Sequence, residues 1–219
     1  MKRLVLTIYL MAVAQVLALM PLQAQNLKGT VTCDGSPVGG VAVSDGVNIV
    51  LTDAQGRYEL NSDKRQGFVF ISTPSGYTVP LKDGLQGDFY RRLSKPAGIQ
   101  EVNDFQLIKQ DQSSYSVIFS ADIHIKNDPD IGDRTLFENH VLPHVKQLYE
   151  EYIKEGPVLM FNLGDLAHDK VWYRFDWNIA KSYEYLKEKG YPGPLYSVMG
   201  NHDNDGAAGG FTEAESRAY

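Results

Sequence analysis

The chain has 219 residues, a formal net charge of −6 and one cysteine, Cys33. This length is sufficient for one large domain or two small ones. The negative charge argues against binding to the phosphate backbone of nucleic acids, and the single cysteine excludes an intrachain disulfide framework and a cysteine-based metal cluster.

Residues 1–25 are predicted to be a secretory signal peptide. Lys2 and Arg3 precede an apolar run from Leu4 to Met20, and a small residue, Ala24, lies near the expected cleavage point. The run is long for a signal peptide, so an uncleaved membrane anchor is the alternative. We expect an exported protein, periplasmic or extracellular, with no stable membrane span after cleavage. Removal of the two cations would change the formal charge from −6 to −8.

The segment 26–110 is predicted to be a small all-β sandwich. Short runs rich in β-forming residues, such as RYEL and FVFIST, alternate with turn sequences such as DGSPVGG and DAQG. The stretch GTVTCDGSPVGGVAVSDGVNIVLTDAQGRYEL is similar to the transthyretin-like sandwich modules of exported bacterial proteins. None of its residues forms a catalytic constellation, so a packing, spacer or docking role is expected.

After a polar linker, KQDQSS, residues 115–219 alternate between strand and helix patterns. Three apolar runs are predicted to be strands: YSVIFS (115–120), expected to be buried on both faces, PVLMFNL (157–163), a second buried strand, and LYSVM (195–199), a third strand. Helical spacing of apolar residues is found over 135–154, with a bend expected at Pro143, and a second helix is predicted over 176–189. This order predicts an α/β fold with a mainly parallel sheet.

Each of these three strands is followed by side chains that can bind a metal. They are Asp122 and His124 after the first, Asp165 (preceded by Gly164) after the second, and Asn201, His202 and Asp203 (preceded by Gly200) after the third. The carboxyl ends of parallel strands share one edge, so these residues are expected to meet in one crevice. Asp122 and His124 are two apart in a segment expected to be extended, which would point both side chains to one side. Oxygen and imidazole donors favour zinc, iron or manganese, and the glycines would leave room beside the ligands.

The ordered set DIH, GDLAHD and GNHD resembles the first three motif blocks of the calcineurin-like metallophosphoesterases. The resemblance implies an enzyme that hydrolyses a phosphate ester with two divalent metal ions (Mn, Fe or Zn), whose charge offsets that of the anionic substrate. It implies that Asp122 and His124 bind the first ion, that Asp165 bridges both ions, and that Asn201 binds the second. The substrate would be a phosphorylated small molecule or a phosphodiester.

The resemblance also implies that His202 lies at the leaving-group oxygen, as a proton donor or as a stabiliser of the phosphoryl transition state. Asp203 would orient His202 through a hydrogen bond. His168, within GDLAHD, is expected either to contact the substrate or to be a solvated loop residue. His140 and His144 are expected to be helix residues without a catalytic role.

Members of this family carry two further histidine motifs after the GNHD block, a lone His and Gly-His-x-His. No histidine follows His202 in this sequence. We therefore expect the chain to be an N-terminal part of a longer enzyme that ends before those motifs. The alternative is a catalytically inactive short form whose β-module binds a surface partner or a glycan.

Overall fold

The computed structural model describes residues 26–125, 133–167 and 178–203. The predicted signal peptide and His168 lie outside the described residues. The described part has a mixed α/β structure in which strands predominate. The chain divides into two units: the first lies within Met1–Val31, Pro37–Ile71 and Tyr90–Asp104, and the second within Thr32–Ser36, Ser72–Phe89 and Phe105–Tyr219.

The described residues form fifteen strands and a small number of helical segments. The strands are β1 (Leu27–Cys33), β2 (Ser36–Pro37), β3 (Ala42–Ser44), β4 (Ile49–Leu51), β5 (Arg57–Leu60), β6 (Phe68–Ser72), β7 (Tyr77–Thr78), β8 (Leu81–Lys82), β9 (Gln86–Gly87), β10 (Tyr90–Arg92), β11 (Glu101–Val102), β12 (Phe105–Lys109), β13 (Ser116–Ser120), β14 (Val158–Asn162) and β15 (Leu195–Ser197). The helical segments are α1 (Asp133–Leu136), a π-helical turn (Phe137–Val141), α2 (Leu142–Tyr152) and α3 (Ile179–Glu188). Twelve of the strands precede residue 110, and the sandwich arrangement expected for them stays a prediction.

In the first unit, β1 pairs antiparallel with β5 and parallel with β11, and the pairs β3–β4 and β6–β10 are antiparallel. Side chains along β1 alternate between buried and half-buried positions, as expected for a strand with one face on the core. The buried apolar residues of this unit include Leu27, Val31, Val41, Val43, Tyr58, Leu60 and Val69.

A buried ion pair lies in the same unit. Nζ of Lys64 and Oε2 of Glu101 are 2.8 Å apart, and the two side chains are 5% and 8% exposed. The Lys64 ammonium also donates to the carbonyl oxygens of Lys95 and Ile99, while Oε1 of Glu101 accepts from the backbone N–H and hydroxyl of Ser94. Burial alone would raise the pKa of Glu101, but the hydrogen bonds from Lys64 and Ser94 outweigh burial and lower this pKa to about 2.

We predict that Glu101 makes the stability of the protein sensitive to acid. Because its folded-state pKa lies below the ordinary value of 4.5, its contribution is complete above that pH and is lost as the pH falls towards about 2. The difference corresponds to about 3 kcal/mol of unfolding free energy. Urea unfolding between pH 2 and pH 7 should show that Glu101→Gln lacks this loss, whereas a control variant at the exposed Glu59, Glu59→Gln, should follow the wild type. A Glu101→Gln profile parallel to that of the wild type would contradict the prediction.

The second unit contains the three parallel strands that the sequence predicted. β13, β14 and β15 lie side by side in that order, and both pairings are parallel. Ser120 is paired with Asn162, and Asn162 with Ser197, so that all three strands end at the same level of the sheet. The segments that follow the strands therefore start from one edge.

Both predicted helices are present in the described residues. The first comprises α1, the π-helical turn and α2, and Pro143 is the second residue of α2, just after the π-helical turn, where the regular α-helical hydrogen bonding is already interrupted. The second is α3, which begins after Asn178, whose side chain accepts a hydrogen bond from the backbone N–H of Lys181. It ends before Gly190, which has a φ of 65°. No described helix is long and apolar enough to cross a membrane.

The helices cover one face of this sheet. The core cluster consists of Leu85, Ile125, Phe137, Leu142, Val145, Val158, Met160, Leu166, Tyr185, Leu186, Tyr191 and Leu195. It includes residues of the π-helical turn, of α2 and α3, and of β14 and β15, so the two crossover connections pack against the same side of the strands.

The prediction that the run YSVIFS is buried on both faces is wrong, because Phe119 in β13 is 63% exposed. Leu163 and Val198, which directly follow β14 and β15, are 53% and 57% exposed. The rings of Phe119 and Phe161 lie 5.7 Å apart, and those of Phe161 and Tyr196 lie 5.3 Å apart, in a row across the sheet. Aromatic side chains that stack on one another give a strand a continuous apolar sequence even where no helix covers them.

Candidate metal centre

Three side chains that can bind a metal lie together beyond the carboxyl ends of β13, β14 and β15. His124, Asp165 and His202 each offer one ligand atom, and these atoms all lie within 4.8 Å of one another. The ring centroids of His124 and His202 are 4.7 Å apart. Asp165 is buried and both histidines are half-buried. The structure therefore brings together one residue from each of the three motif blocks.

Asp122 lies next to this group on an exposed position. Its Oδ1 is 3.8 Å from Nε2 of His124, and its side chain is 70% exposed. The expectation of an extended segment here is wrong, because Asp122 and His124 have φ values of 54° and 51°. Their backbone N–H groups donate to the carbonyl oxygens of Gly164 and Asp165, and these bonds hold the segment in its curled path.

The left-handed backbone conformation is shared by three of the predicted metal ligands. Asp165 has a φ of 54°, close to the values of Asp122 and His124, and these are three of the six non-glycine residues with positive φ among the described residues. Such a conformation costs about 1–2 kcal/mol per residue, and residues that adopt it are concentrated at functional sites. The concentration of strain here supports a functional role for this edge of the sheet.

Two glycines let the segments after β14 and β15 approach each other closely. A Cβ atom on Gly164, which has a φ of 113°, would lie 2.9 Å from the Cα of Gly200. A Cβ atom on Gly200 would lie 2.5 Å from the backbone nitrogen of Asp165 and would overlap its Oδ1. Gly200 therefore leaves room beside Asp165, as predicted, whereas Gly164 leaves room for the backbone of Gly200.

The carboxylates of Asp165 and Asp203 accept hydrogen bonds from backbone N–H groups of the segments after β14 and β15. Oδ1 of Asp165 accepts from the N–H of His202 at 2.8 Å. Asp203 is buried, and its Oδ1 and Oδ2 accept from the N–H groups of Ala167 and Gly200 at 2.8 and 2.9 Å. The hydrogen bond expected between Asp203 and the His202 ring stays a prediction. Sequence analysis missed these side chain–backbone bonds, because no local pattern signals a contact between segments 36 or 37 residues apart.

The remaining candidate residues in the described part of the chain lie at exposed positions. Asn201 is exposed in the bend between Gly200 and His202, and its role as a ligand stays a prediction. His140 lies in the π-helical turn and His144 in α2, and both are exposed, which confirms that they are helix residues.

Two family models match the chain. The model described as N terminal of Calcineurin-like phosphoesterase matches residues 25–110, and the model described as Calcineurin-like phosphoesterase matches residues 115–219. The chain belongs to the calcineurin-like phosphoesterases. The resemblance found in the motif blocks is thereby confirmed, and the family uses divalent metals to hydrolyse phosphate esters. No curated protein matches the sequence.

We predict that Gly200→Ala weakens metal binding by this calcineurin-like phosphoesterase about 10–100-fold, the range observed when the surroundings of a ligand are disturbed. The added Cβ would overlap Oδ1 of Asp165 and displace the carboxylate. Titration calorimetry with Mn²⁺ measures the affinity, and circular dichroism verifies that the variant is folded. Gly98→Ala is the matched control, because a Cβ there meets no atom within 4 Å. Wild-type affinity in Gly200→Ala would contradict the prediction.

Proposed function

We propose that the protein hydrolyses a phosphate ester at a two-metal centre. The proposed ligands are Asp122, His124, Asp165 and Asn201. The observation that carries the proposal is the grouping of His124, Asp165 and His202 at one edge of the sheet, in a member of a family that uses divalent metals. Imidazole nitrogens and carboxylate oxygens without sulfur are donors that suit zinc, iron or manganese, so the residues fit the implied ions.

In the proposed centre Asp122 and His124 would hold the first ion, Asp165 would contribute to both, and Asn201 would hold the second. When bound, the two ions supply positive charge that offsets the charge of the ester and of its transition state. The buried position of Asp165 between the segments after β13 and β15 supports its central role, because its carboxylate is held by the backbone of His202 and its carbonyl oxygen by that of His124.

His202 is proposed to act on the leaving group. Its ring lies against that of His124 and is half-buried, so one side remains accessible to a substrate at the edge of the sheet. We propose that His202 donates a proton to the leaving-group oxygen or stabilises the charge on that oxygen. Asp203 would orient it. Because His202 belongs to the same 4.8 Å group as two proposed ligands, metal ligation is its second candidate role.

We further propose that the protein is exported and that its N-terminal strands form a transthyretin-like sandwich. Export is supported by the two cations and the apolar run within residues 1–25.

The sandwich is supported by the many short, alternating strands of the segment 26–110. A spacer or docking role would then fall to this module, and a catalytically inactive protein that binds a partner through it is the alternative. Metal content and turnover of a chromogenic monoester and diester distinguish the two.

Asp165→Asn is predicted to abolish two-metal occupancy, because Asp165 is the single group assigned to both ions. The amide keeps an oxygen that can accept from the backbone N–H of His202, so the local structure is expected to survive. Elemental analysis gives the metal content, and Asp83→Asn serves as the control, since Asp83 is also an aspartate with a positive φ. Two ions per chain in Asp165→Asn would show that the bridging assignment is wrong.

His202→Ala is predicted to retain metal and to lower kcat by roughly 10²–10⁴, the range for a lost proton-transfer group. Elemental analysis and steady-state kinetics are measured on the same preparation. His140→Ala, at an exposed position on the π-helical turn, is expected to keep both wild-type values. Loss of metal as complete as in Asp165→Asn would instead make His202 a ligand.

A further inference from the structure

The three parallel strands all end in a small polar residue on the same face of the sheet. β13 ends at Ser120, β14 at Asn162 and β15 at Ser197, and the register places them side by side. We call these three residues the polar row. Their side chains lie on the helix-covered face, because Met160, two residues before Asn162, belongs to the core cluster.

The middle residue of the polar row is an exception among buried polar groups. Asn162 is 1% exposed, and neither its amide nitrogen nor its amide oxygen has a hydrogen-bond partner among the described residues. Its neighbours do have partners: Oγ of Ser197 accepts from the hydroxyl of Tyr183 at 2.6 Å, and the hydroxyl of Ser120 donates to the carbonyl oxygen of Phe161 at 3.3 Å. A buried group left unsatisfied costs about 1–3 kcal/mol. The amide of Asn162 therefore requires an explanation other than stability.

The polar row lies directly before the proposed metal ligands. Ser120 is two residues before Asp122, and Asn162 is three residues before Asp165. The backbone also joins the strand ends, because the N–H of Val198 donates to the carbonyl oxygen of Asn162 at 3.0 Å. A shift at Asn162 would therefore be transmitted to the segments that carry the ligands.

We propose that Asn162 positions Asp165 for metal binding by holding an ordered internal water within the polar row. An amide flanked by two hydroxyl groups offers a buried water the two to four hydrogen bonds that such waters typically make. Hydrogen bonds are directional, and the geometry of a metal centre depends on supporting hydrogen bonds behind its ligands. Asn162 is a positioning residue, and its role rests on the proposed metal centre.

The variant Asn162→Leu separates this role from simple stabilisation. Leu has the same branched shape, is somewhat bulkier and needs no hydrogen bond; if it fills the space of the proposed water, the melting temperature of the metal-free protein should equal or exceed that of the wild type. Its affinity for Mn²⁺, measured by titration calorimetry, should fall about 10–100-fold. The absorption spectrum of bound Co²⁺ should change as well, because it reports ligand geometry. Met160→Leu, on the same strand and face, is the control and should keep wild-type affinity.

Wild-type affinity and an unchanged Co²⁺ spectrum in Asn162→Leu would overturn the inference. If that variant has a lower melting temperature, the Mn²⁺ affinities of Asn162→Ser and Asn162→Ala are compared instead, since these two variants differ from each other by one hydroxyl group. We expect Asn162→Ser to remain close to the wild type and Asn162→Ala to bind about 10-fold more weakly; equal affinities would also overturn the inference. A wild-type protein that binds no metal would defeat the proposed function itself, a result visible before any variant is compared.

Discussion

The segments after β14 and β15 pass each other without space for a side chain between them, and the position of the buried Asp165 follows from that contact. Gly164 and Gly200 meet backbone to backbone, and Gly200 also lies against the Asp165 carboxylate. Main-chain atoms are less free to move than the ends of side chains. The close approach therefore fixes Asp165 more firmly than a side-chain rotamer could, and the curled segment after β13 is held against the same backbone by its hydrogen bonds to Gly164 and Asp165.

Much of the second unit could be predicted because its sequence patterns are strong. The continuous apolar runs indicated β13, β14 and β15, and helical spacing together with Gly190 indicated α3. The exposed face could not be predicted, because a row of stacked aromatic rings has the same sequence pattern as a strand covered on both sides. Whether a face is covered depends on tertiary packing, and no single strand carries that information.

The residue types of the candidate site could also be predicted, but their local geometry could not. Carboxylates and imidazoles directly after parallel strands indicated a shared edge, and His124, Asp165 and His202 do meet there. The D-x-H spacing is compatible with an extended segment as well as with two left-handed residues, and hydrogen bonds to a distant segment decide between them. The polar row was missed for a related reason, since it exists only through the pairing of three strands.

Asp203 provides hydrogen-bond acceptors for backbone N–H groups that lie outside the strands. Within a sheet, such groups are bonded to the carbonyl oxygens of a neighbouring strand. The N–H groups of Ala167 and Gly200 donate to its buried carboxylate, and that of His202 donates to Asp165. Amide hydrogens held in this way exchange with solvent deuterium only when the structure around them opens. The exchange rates of the Ala167 and His202 amides thus report how often the segments after β14 and β15 separate, on a timescale of minutes to hours.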